Sequence, residues 1–193
     1  MRGRLAASAL LALLTASPET ALSQSLQDKL VQCAACHGED GRSKDPNIPH
    51  IGGQPKLAVM YQLFFYREGR RKNPEMNLVA KGLSDAELDA IAEYVAKLPP
   101  PPLVGGEIDA VRYRRGAELA QKRLCASCHN PDYSGREQMP RLAGQHEAYT
   151  VKALQDYRAG IRIGTQAAMA EAVRGLSDAD FADLAYFLAR VRP

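Results

Sequence analysis

One five-residue pattern, Cys-x-x-Cys-His, occurs twice in the chain, at residues 33–37 and at residues 125–129. Three further motifs follow each copy in the same order: a Pro-x-x-x-Gly-Gln loop, a Tyr-Arg-x-Gly turn and a Gly-Leu-Ser-Asp tetrapeptide. Matching residues in the two copies are 91 to 93 positions apart. A solenoid needs at least three repeats, so two long units predict a duplicated domain.

Both units show apolar residues at helical spacing, and strand-like alternation is absent. Ser84 with Glu87 and Ser177 with Asp180 predict capping boxes at the start of the last helix of each unit. The spacing predicts helix pairs over 84–98 and 177–191, over 55–68 and 146–159, and over 109–125 with a shorter counterpart at 25–36. The expected fold is all-α, with two tandem domains.

A run of four prolines at 99–102, followed by Leu-Val-Gly-Gly, separates the two units. Consecutive prolines favour a stiff polyproline II spacer. We therefore expect a first domain over 24–98, a linker over 99–106 and a second domain over 107–193.

Residues 1–23 have the pattern of a secretory signal peptide. Arg2 and Arg4 precede an apolar run that is too short for a membrane anchor. Small residues at positions 21 and 23 predict cleavage before Gln24, and an uncleaved anchor is the alternative. The mature protein is expected to be periplasmic.

The Cys-x-x-Cys-His pattern is the attachment signature of c-type haem. Thiols on one helical turn can bond the two vinyl groups of a haem, and the adjacent imidazole then reaches the iron. We therefore expect two covalent haems, on Cys33 and Cys36 and on Cys125 and Cys128, with His37 and His129 as axial ligands. Two disulfides or one four-thiolate zinc site are the alternatives, but neither explains a histidine after both cysteine pairs.

A second axial ligand decides whether such an iron transfers electrons or binds small molecules. Met76 and Met169 each lie six residues before a Gly-Leu-Ser-Asp sequence, in a predicted loop ahead of the last helix. They are the preferred ligands. His50 and His146 are rivals, but they occupy different positions in the two repeats.

The ligating imidazoles also need a fixed acceptor for their other N–H, often a backbone carbonyl. Pro49 and Pro140 follow the two histidines by 12 and 11 residues, so their carbonyls are candidates. Residues 24–98 hold 10 basic and 10 acidic side chains, and residues 107–193 hold 13 and 11. Neither balance provides the basic field that nucleic-acid binding needs.

At these residues the chain resembles the class I cytochromes c, and most closely the periplasmic dihaem cytochromes of the c-four type. The resemblance covers about residues 30–191 and rests on residues 33–41, the Pro-x-x-x-Gly-Gln loops, residues 66–73, and Met76 and Met169. It implies two haem domains facing each other, with the haems near their interface. Two departures concern local helix geometry: Asn130 stands where the first copy has Gly38, and Gly116 where the first copy has Gln24.

The resemblance further implies an electron carrier that takes single electrons from a cytochrome bc complex or a dehydrogenase and passes them to a terminal oxidase. Docking on such membrane complexes would be transient. A tightly bound dihaem subunit of a periplasmic dehydrogenase, such as a flavin-dependent sulfide dehydrogenase, is the alternative. A peroxidase or a thiosulfate dehydrogenase is a third hypothesis, but no catalytic acid, base or substrate pocket is visible, so we expect no enzyme.

Overall fold

The computed structural model describes residues 18–162 and 167–192, with side chains described from residue 25 onward within these ranges. There the chain forms nine α-helices: α1 Pro18–His37, α2 Lys56–Arg67, α3 Pro74–Ala80, α4 Asp85–Lys97, α5 Ala110–Lys122, α6 Cys125–His129, α7 Glu147–Arg158, α8 Ala167–Ala172 and α9 Asp178–Arg190. Extended pairing in the same ranges is limited to one isolated bridge between Arg136 and Met139. The all-α prediction is confirmed.

The predicted signal peptide lies outside the described residues up to residue 17, and α1 begins at Pro18. None of the helices in the described ranges combines the length and the apolar character needed to span a bilayer.

The last helix of each domain begins at its predicted capping box. The Ser84 hydroxyl accepts a hydrogen bond from the Glu87 backbone N–H, and the Glu87 carboxylate accepts from the Ser84 N–H at 2.8 Å. Ser177 and Asp180 repeat this exchange, again with a 2.8 Å bond to the carboxylate. Each box satisfies backbone donors that a helix leaves free at its start, which explains why α4 and α9 begin where the sequence predicts.

Each domain buries its own apolar core. The first core lies between α2, α3 and α4, where Leu63, Leu88 and Ile91 are buried and Leu26 and Leu30 of α1 pack from outside. The second core surrounds Phe181 of α9, which is fully buried. These cores hold the helices that carry the cysteine motifs against the last helix of each domain.

The helix before the cysteine motif differs between the domains. The helix predicted over 25–36 is present, but the first-domain helix is the longer of the two, and the predicted end of the second was wrong. The first-domain helix, predicted as the shorter counterpart over 25–36, runs without a break through α1 to His37. The second-domain helix, predicted over 109–125, ends at Lys122, and Leu124 adopts a left-handed conformation (φ 54°) before α6 starts. Left-handed backbone is costly for a leucine. Position 124 has no glycine or asparagine, so the sequence gives no signal of this break.

Gly116 lets α5 and α9 cross at close range. A Cβ at this position would overlap the carbonyl oxygen of Asp183 and the Cβ of Phe187. The departure at Gly116 therefore has a structural reason, the close approach of two helix backbones. The matching position in the first domain is Gln24, whose side chain lies outside the described residues.

The proline-rich segment packs along the contact between the domains. Pro100 lies against Gly53 of the first domain, and Pro101 lies against Gly144 of the second. Arg42 donates a hydrogen bond of 3.0 Å to the carbonyl of Pro100. The linker is therefore held by both domains at matching glycines.

Candidate haem-binding sites

The histidine of each cysteine motif is buried and oriented by a proline carbonyl. His37 Nδ1 lies 2.9 Å from the Pro49 carbonyl oxygen, and His129 Nδ1 lies 2.8 Å from that of Pro140. A carbonyl oxygen only accepts, so both imidazoles carry their proton on Nδ1 and present a free lone pair on Nε2. The prediction that these two carbonyls hold the histidines is confirmed.

The second histidine shows the clearest sign of a ligand. His129 Nε2 is buried and has no hydrogen-bond partner in the described part of the chain. Burying a polar nitrogen without a partner is costly, so such an atom calls for an explanation. Coordination of a metal ion through Nε2 supplies one, since Nδ1 is already bonded to Pro140.

The electrostatics of both histidines suit a neutral ligand. Burial lowers the pKa of His37 and of His129, and the hydrogen bonds to Pro49 and Pro140 offset this only in part. At neutral pH both imidazoles are therefore uncharged, which is the form that binds a metal.

The four cysteines are free of disulfides, so that alternative is removed. Cys33 and Cys125 are half-buried, and burial raises the pKa of both thiols. Cys36 and Cys128 are exposed. Each pair thus offers one inner and one outer sulfur on a single helical turn, beside the buried histidine. This arrangement fits a haem bonded through both vinyl groups.

A zinc site formed by all four thiols finds no counterpart in the fold. One pair lies on α1 in the first domain and the other on α6 in the second. Among the described residues, no three His, Cys, Asp or Glu side chains gather as a metal-binding group.

Met76 and Met169 were expected in loops. They lie instead in the short helices α3 and α8. In the first domain the reason is local: Asn73 caps α3 by accepting from the Met76 N–H at 2.8 Å, and Pro74 occupies the first helical position, where its missing N–H costs nothing. Both methionines are partly buried and pack against the core of their own domain.

The two rival histidines face each other. The rings of His50 and His146 stack across the domain contact, with centroids 3.8 Å apart. His146 Nε2 also bonds the carbonyl of Ser43 at 3.0 Å. Burial, and then the neighbouring His146, lower the pKa of His50 to about 4. His146 Nε2 is already bonded to Ser43, and the two histidines occupy different positions in the two repeats, so the methionines stay the preferred candidates.

The departure at Asn130 keeps the positive φ that follows the motif in the first domain. Gly38 has φ +81° and Asn130 has φ +69°, so both copies turn through left-handed backbone directly after the histidine. With ψ 157°, Asn130 lies outside the αL region that asparagine commonly adopts, so this turn is strained for a residue other than glycine. After each copy of the motif the backbone therefore turns back toward the proline that holds the histidine.

Two glutamines of the repeated Pro-x-x-x-Gly-Gln loops join the sites across the domain contact, and the sequence analysis did not predict this. Gln54 bonds the backbone of Arg141 in the second domain, and Gln145 bonds the backbone of His50 in the first. The repetition of the loop motif was the available signal, but it did not reveal the partners.

Comparisons with known proteins match both halves of the chain. The family model of cytochrome c matches residues 113–192, and that of the cbb3-type cytochrome c oxidase subunit III matches residues 21–95. A cytochrome c4 of Pseudomonas aeruginosa is 34% identical over 84% of this chain and 85% of its own length. A thiosulfate dehydrogenase electron acceptor of Thiomonas intermedia is 33% identical over 85% of this chain and 79% of its own.

Among solved structures, reduced recombinant cytochrome c4 from Pseudomonas stutzeri superposes with a TM-score of 0.78 at 31% identity. The match covers 88% of this chain and 98% of that one, so it includes both domains.

Proposed function

The chain belongs to the cytochrome c4 family of dihaem proteins, and on that premise we propose that it relays single electrons between protein partners in the periplasm. Members of this family are electron carriers, not enzymes, and each domain carries one covalently bound haem c. The haem iron, when bound, supplies a one-electron couple between iron(III) and iron(II).

The residue roles follow from the two sites. Cys33 and Cys36 hold one haem and Cys125 and Cys128 the other, through thioether bonds. His37 and His129 would each bind the iron through Nε2. The observation that carries this assignment is the buried Nε2 of His129, which has no hydrogen-bond partner among the described residues.

Met76 and Met169 would supply the second protein ligand of each iron. Both occupy equivalent places before the last helix, and both are half-buried against the domain core. A thioether ligand favours iron(II) and raises the reduction potential. A six-coordinate iron also leaves no position for a substrate, which suits a carrier.

The chain's own residues keep these ligands in place. Pro49 and Pro140 fix the rotation of the two imidazoles through hydrogen bonds of 2.9 and 2.8 Å. Asn77, directly after Met76, donates to the carbonyl of Arg71 at 2.9 Å and so ties α3 to the preceding turn. Rigid ligands reduce the rearrangement that accompanies each electron transfer.

The electron donor is a cytochrome bc complex or a dehydrogenase, and the acceptor is a terminal oxidase. The outer cysteine of each pair, Cys36 or Cys128, is exposed. This surface would let a partner approach the haem edge during a brief encounter. Residues 1–23 act as the export signal in this proposal, and residues 99–106 connect the two haem domains.

A second candidate is a dihaem subunit that stays bound to a periplasmic dehydrogenase. The relative named as a thiosulfate dehydrogenase electron acceptor favours it, because the match spans both domains. Purification from native periplasm separates the two candidates. A free carrier elutes alone at the mass of one chain, whereas a stable subunit elutes with a dehydrogenase at fixed stoichiometry.

Spectroscopy of variants tests the ligands. Met76→Ala and Met169→Ala should each remove half of the near-infrared sulfur-to-iron band of the oxidised protein and open one iron to carbon monoxide. Met60→Leu is the matched control, since Met60 lies in α2 and packs on the first core. An unchanged band in either alanine variant would reject that methionine, and fewer than two haems per chain would reject the proposal as a whole.

A further inference from the structure

The peptide group between Pro49 and His50 carries two hydrogen bonds of opposite sense. Its carbonyl accepts from His37 Nδ1 at 2.9 Å, within the first domain. Its N–H donates to Oε1 of Gln145, from the second domain, also at 2.9 Å. One rigid amide therefore lies between the ligand of the first haem and a side chain of the other domain.

The second domain repeats this arrangement with the roles exchanged. The carbonyl of Pro140 accepts from His129 Nδ1 at 2.8 Å, and the N–H of Arg141, in the same peptide group, donates to Oε1 of Gln54 at 2.9 Å. Each site thus donates a hydrogen bond to a glutamine of the opposite domain, from the amide that supports its histidine.

Both glutamines are fixed in the orientation that this needs. Gln54 Nε2 donates to the Arg141 carbonyl at 3.0 Å, and Gln145 Nε2 donates to the His50 carbonyl at 2.9 Å. Each amide side chain therefore bonds both the N–H and the C=O of one residue, which determines which end is the oxygen. Gln145 is only 6% exposed.

Hydrogen bonds in series polarise one another. When Gln145 accepts from the amide N–H, the Pro49 carbonyl becomes a stronger acceptor for the His37 Nδ1–H. A stronger bond at Nδ1 makes the imidazole a more basic ligand. A more basic ligand favours iron(III) and so lowers the reduction potential.

We propose that Gln145 tunes the haem of the first domain through His37, and that Gln54 tunes the haem of the second domain through His129. Both are positioning residues that act across the domain contact. The proposal rests on ligation by His37 and His129. It makes each reduction potential depend on the presence of the opposite domain.

The test is a redox titration of the complete dihaem protein with Gln145→Leu or Gln54→Leu. Haem proton resonances, assigned to each domain, report the two sites separately. Gln145→Leu should raise the potential of the first-domain haem, and Gln54→Leu that of the second. We expect about a threefold change in the reduction equilibrium, or about 30 mV at 59 mV per tenfold for one electron.

Two further variants separate tuning from loss of structure. Gln62→Leu is the matched control, because Gln62 bonds Arg71 and Arg162 at the same domain contact and makes no hydrogen bond to either proline-linked amide. It should leave both potentials unchanged. Gln145→Glu keeps an acceptor oxygen of the same reach with a negative charge, so it should lower the first-domain potential.

The pattern across variants decides the outcome. The inference is supported if each leucine variant raises the reduction potential of the haem in the opposite domain only. Equal shifts of both haems in each leucine variant, or no shift, overturn it even if the wild-type spectrum shows two histidine-ligated haems. Failure of the proposed function itself would be visible in that wild-type spectrum before any variant is made.

Discussion

The two domains hold nearly the same site on differently built scaffolds. In the second domain α5 crosses α9 at Gly116, and eight residues of α9 are buried. In the first domain only four residues of α4 are buried, and α1 packs through Leu26 and Leu30. The histidine-to-proline bonds nevertheless differ by only 0.1 Å, at 2.9 and 2.8 Å. The site therefore depends on the motif and its return loop more than on the helix crossing.

Polar contacts between the crossing helices differ as well. In the second domain Asp183 of α9 is nearly buried and pairs with Arg112 and Arg115 of α5. In the first domain a half-buried pair, Lys29 with Glu87 at 2.8 Å, links α1 to α4. The second domain thus has the tighter helix crossing. Variants of matching residues measure how much this changes the stability of each domain.

Truncation of the central core residue gives the largest expected effect. Phe181→Ala should destabilise the second domain by about 4 kcal/mol, and Leu88→Ala, at the matching position, should destabilise the first by about 3 kcal/mol. Both side chains are buried in their cores. Hydrogen exchange of α4 and α9 in the holoprotein reads the two domains separately. Equal losses in both helices for either variant would show that the domains unfold as one unit.

A side chain at the helix crossing tests the second scaffold alone. Gly116→Leu should cost about 3 kcal/mol, because the new atoms overlap backbone and side-chain atoms of α9. Exchange in α9 should accelerate while α4 stays protected. Gly105→Ala is the control, since a Cβ there meets nothing within 4 Å. Unchanged exchange in α9 would mean that the crossing can widen at little cost.

The capping boxes are the element that the domains share. Ser84→Ala and Ser177→Ala should each cost about 1 kcal/mol, by removing the acceptor for a backbone N–H. Chemical unfolding followed by exchange in α4 and α9 measures both. Losses that differ by more than about 1 kcal/mol would show that the Glu and Asp forms of the box are not equivalent.

Acid should weaken the first domain slightly through the ion pair of Lys29 with Glu87. The Lys29 side chain, and then the Ser84 N–H and hydroxyl, lower the pKa of Glu87 from 4.5 to about 2. Because the folded pKa lies below the unfolded one, the contribution is complete above pH 4.5 and is lost as the pH falls toward 2.

Lys29→Met should reduce this acid dependence of α4 and leave α9 unchanged. The loss of stability at neutral pH should be below about 1 kcal/mol, because the pair is still partly open to solvent. Exchange measured between neutral and acidic pH checks it. An identical pH profile for the variant and the wild type would assign the effect to Ser84 alone.

Much of this architecture is readable from local signals. The capping serines predicted α4 and α9, and the repeated cysteine motifs predicted two sites with one histidine each. The helix α3 also has a local signal, Asn73-Pro74-Glu75, which matches a cap, a first-turn proline and a first-turn acid. The loop prediction for this segment was wrong because it relied on the ability of a loop to bring Met76 to the iron, and not on this helix signal.

Other features depend on contacts that no local pattern encodes. The break at Leu124 places a leucine in left-handed backbone without any turn residue. The stack of His50 on His146 joins residues 96 positions apart in the chain. The partners of Gln54 and Gln145 likewise lie in the other domain, so their role emerges only from the three-dimensional arrangement.

The exchange of glutamines has a consequence for how such a chain could arise. Position 54 contacts position 141, and their repeat counterparts, 145 and 50, contact each other in the same manner. A surface on which the same two positions serve both partners is the mark of an isologous dimer with a two-fold axis. The chain has the contact geometry of a symmetrical homodimer whose subunits have been fused head to tail, so one ancestral half would already have possessed both sides of the interface.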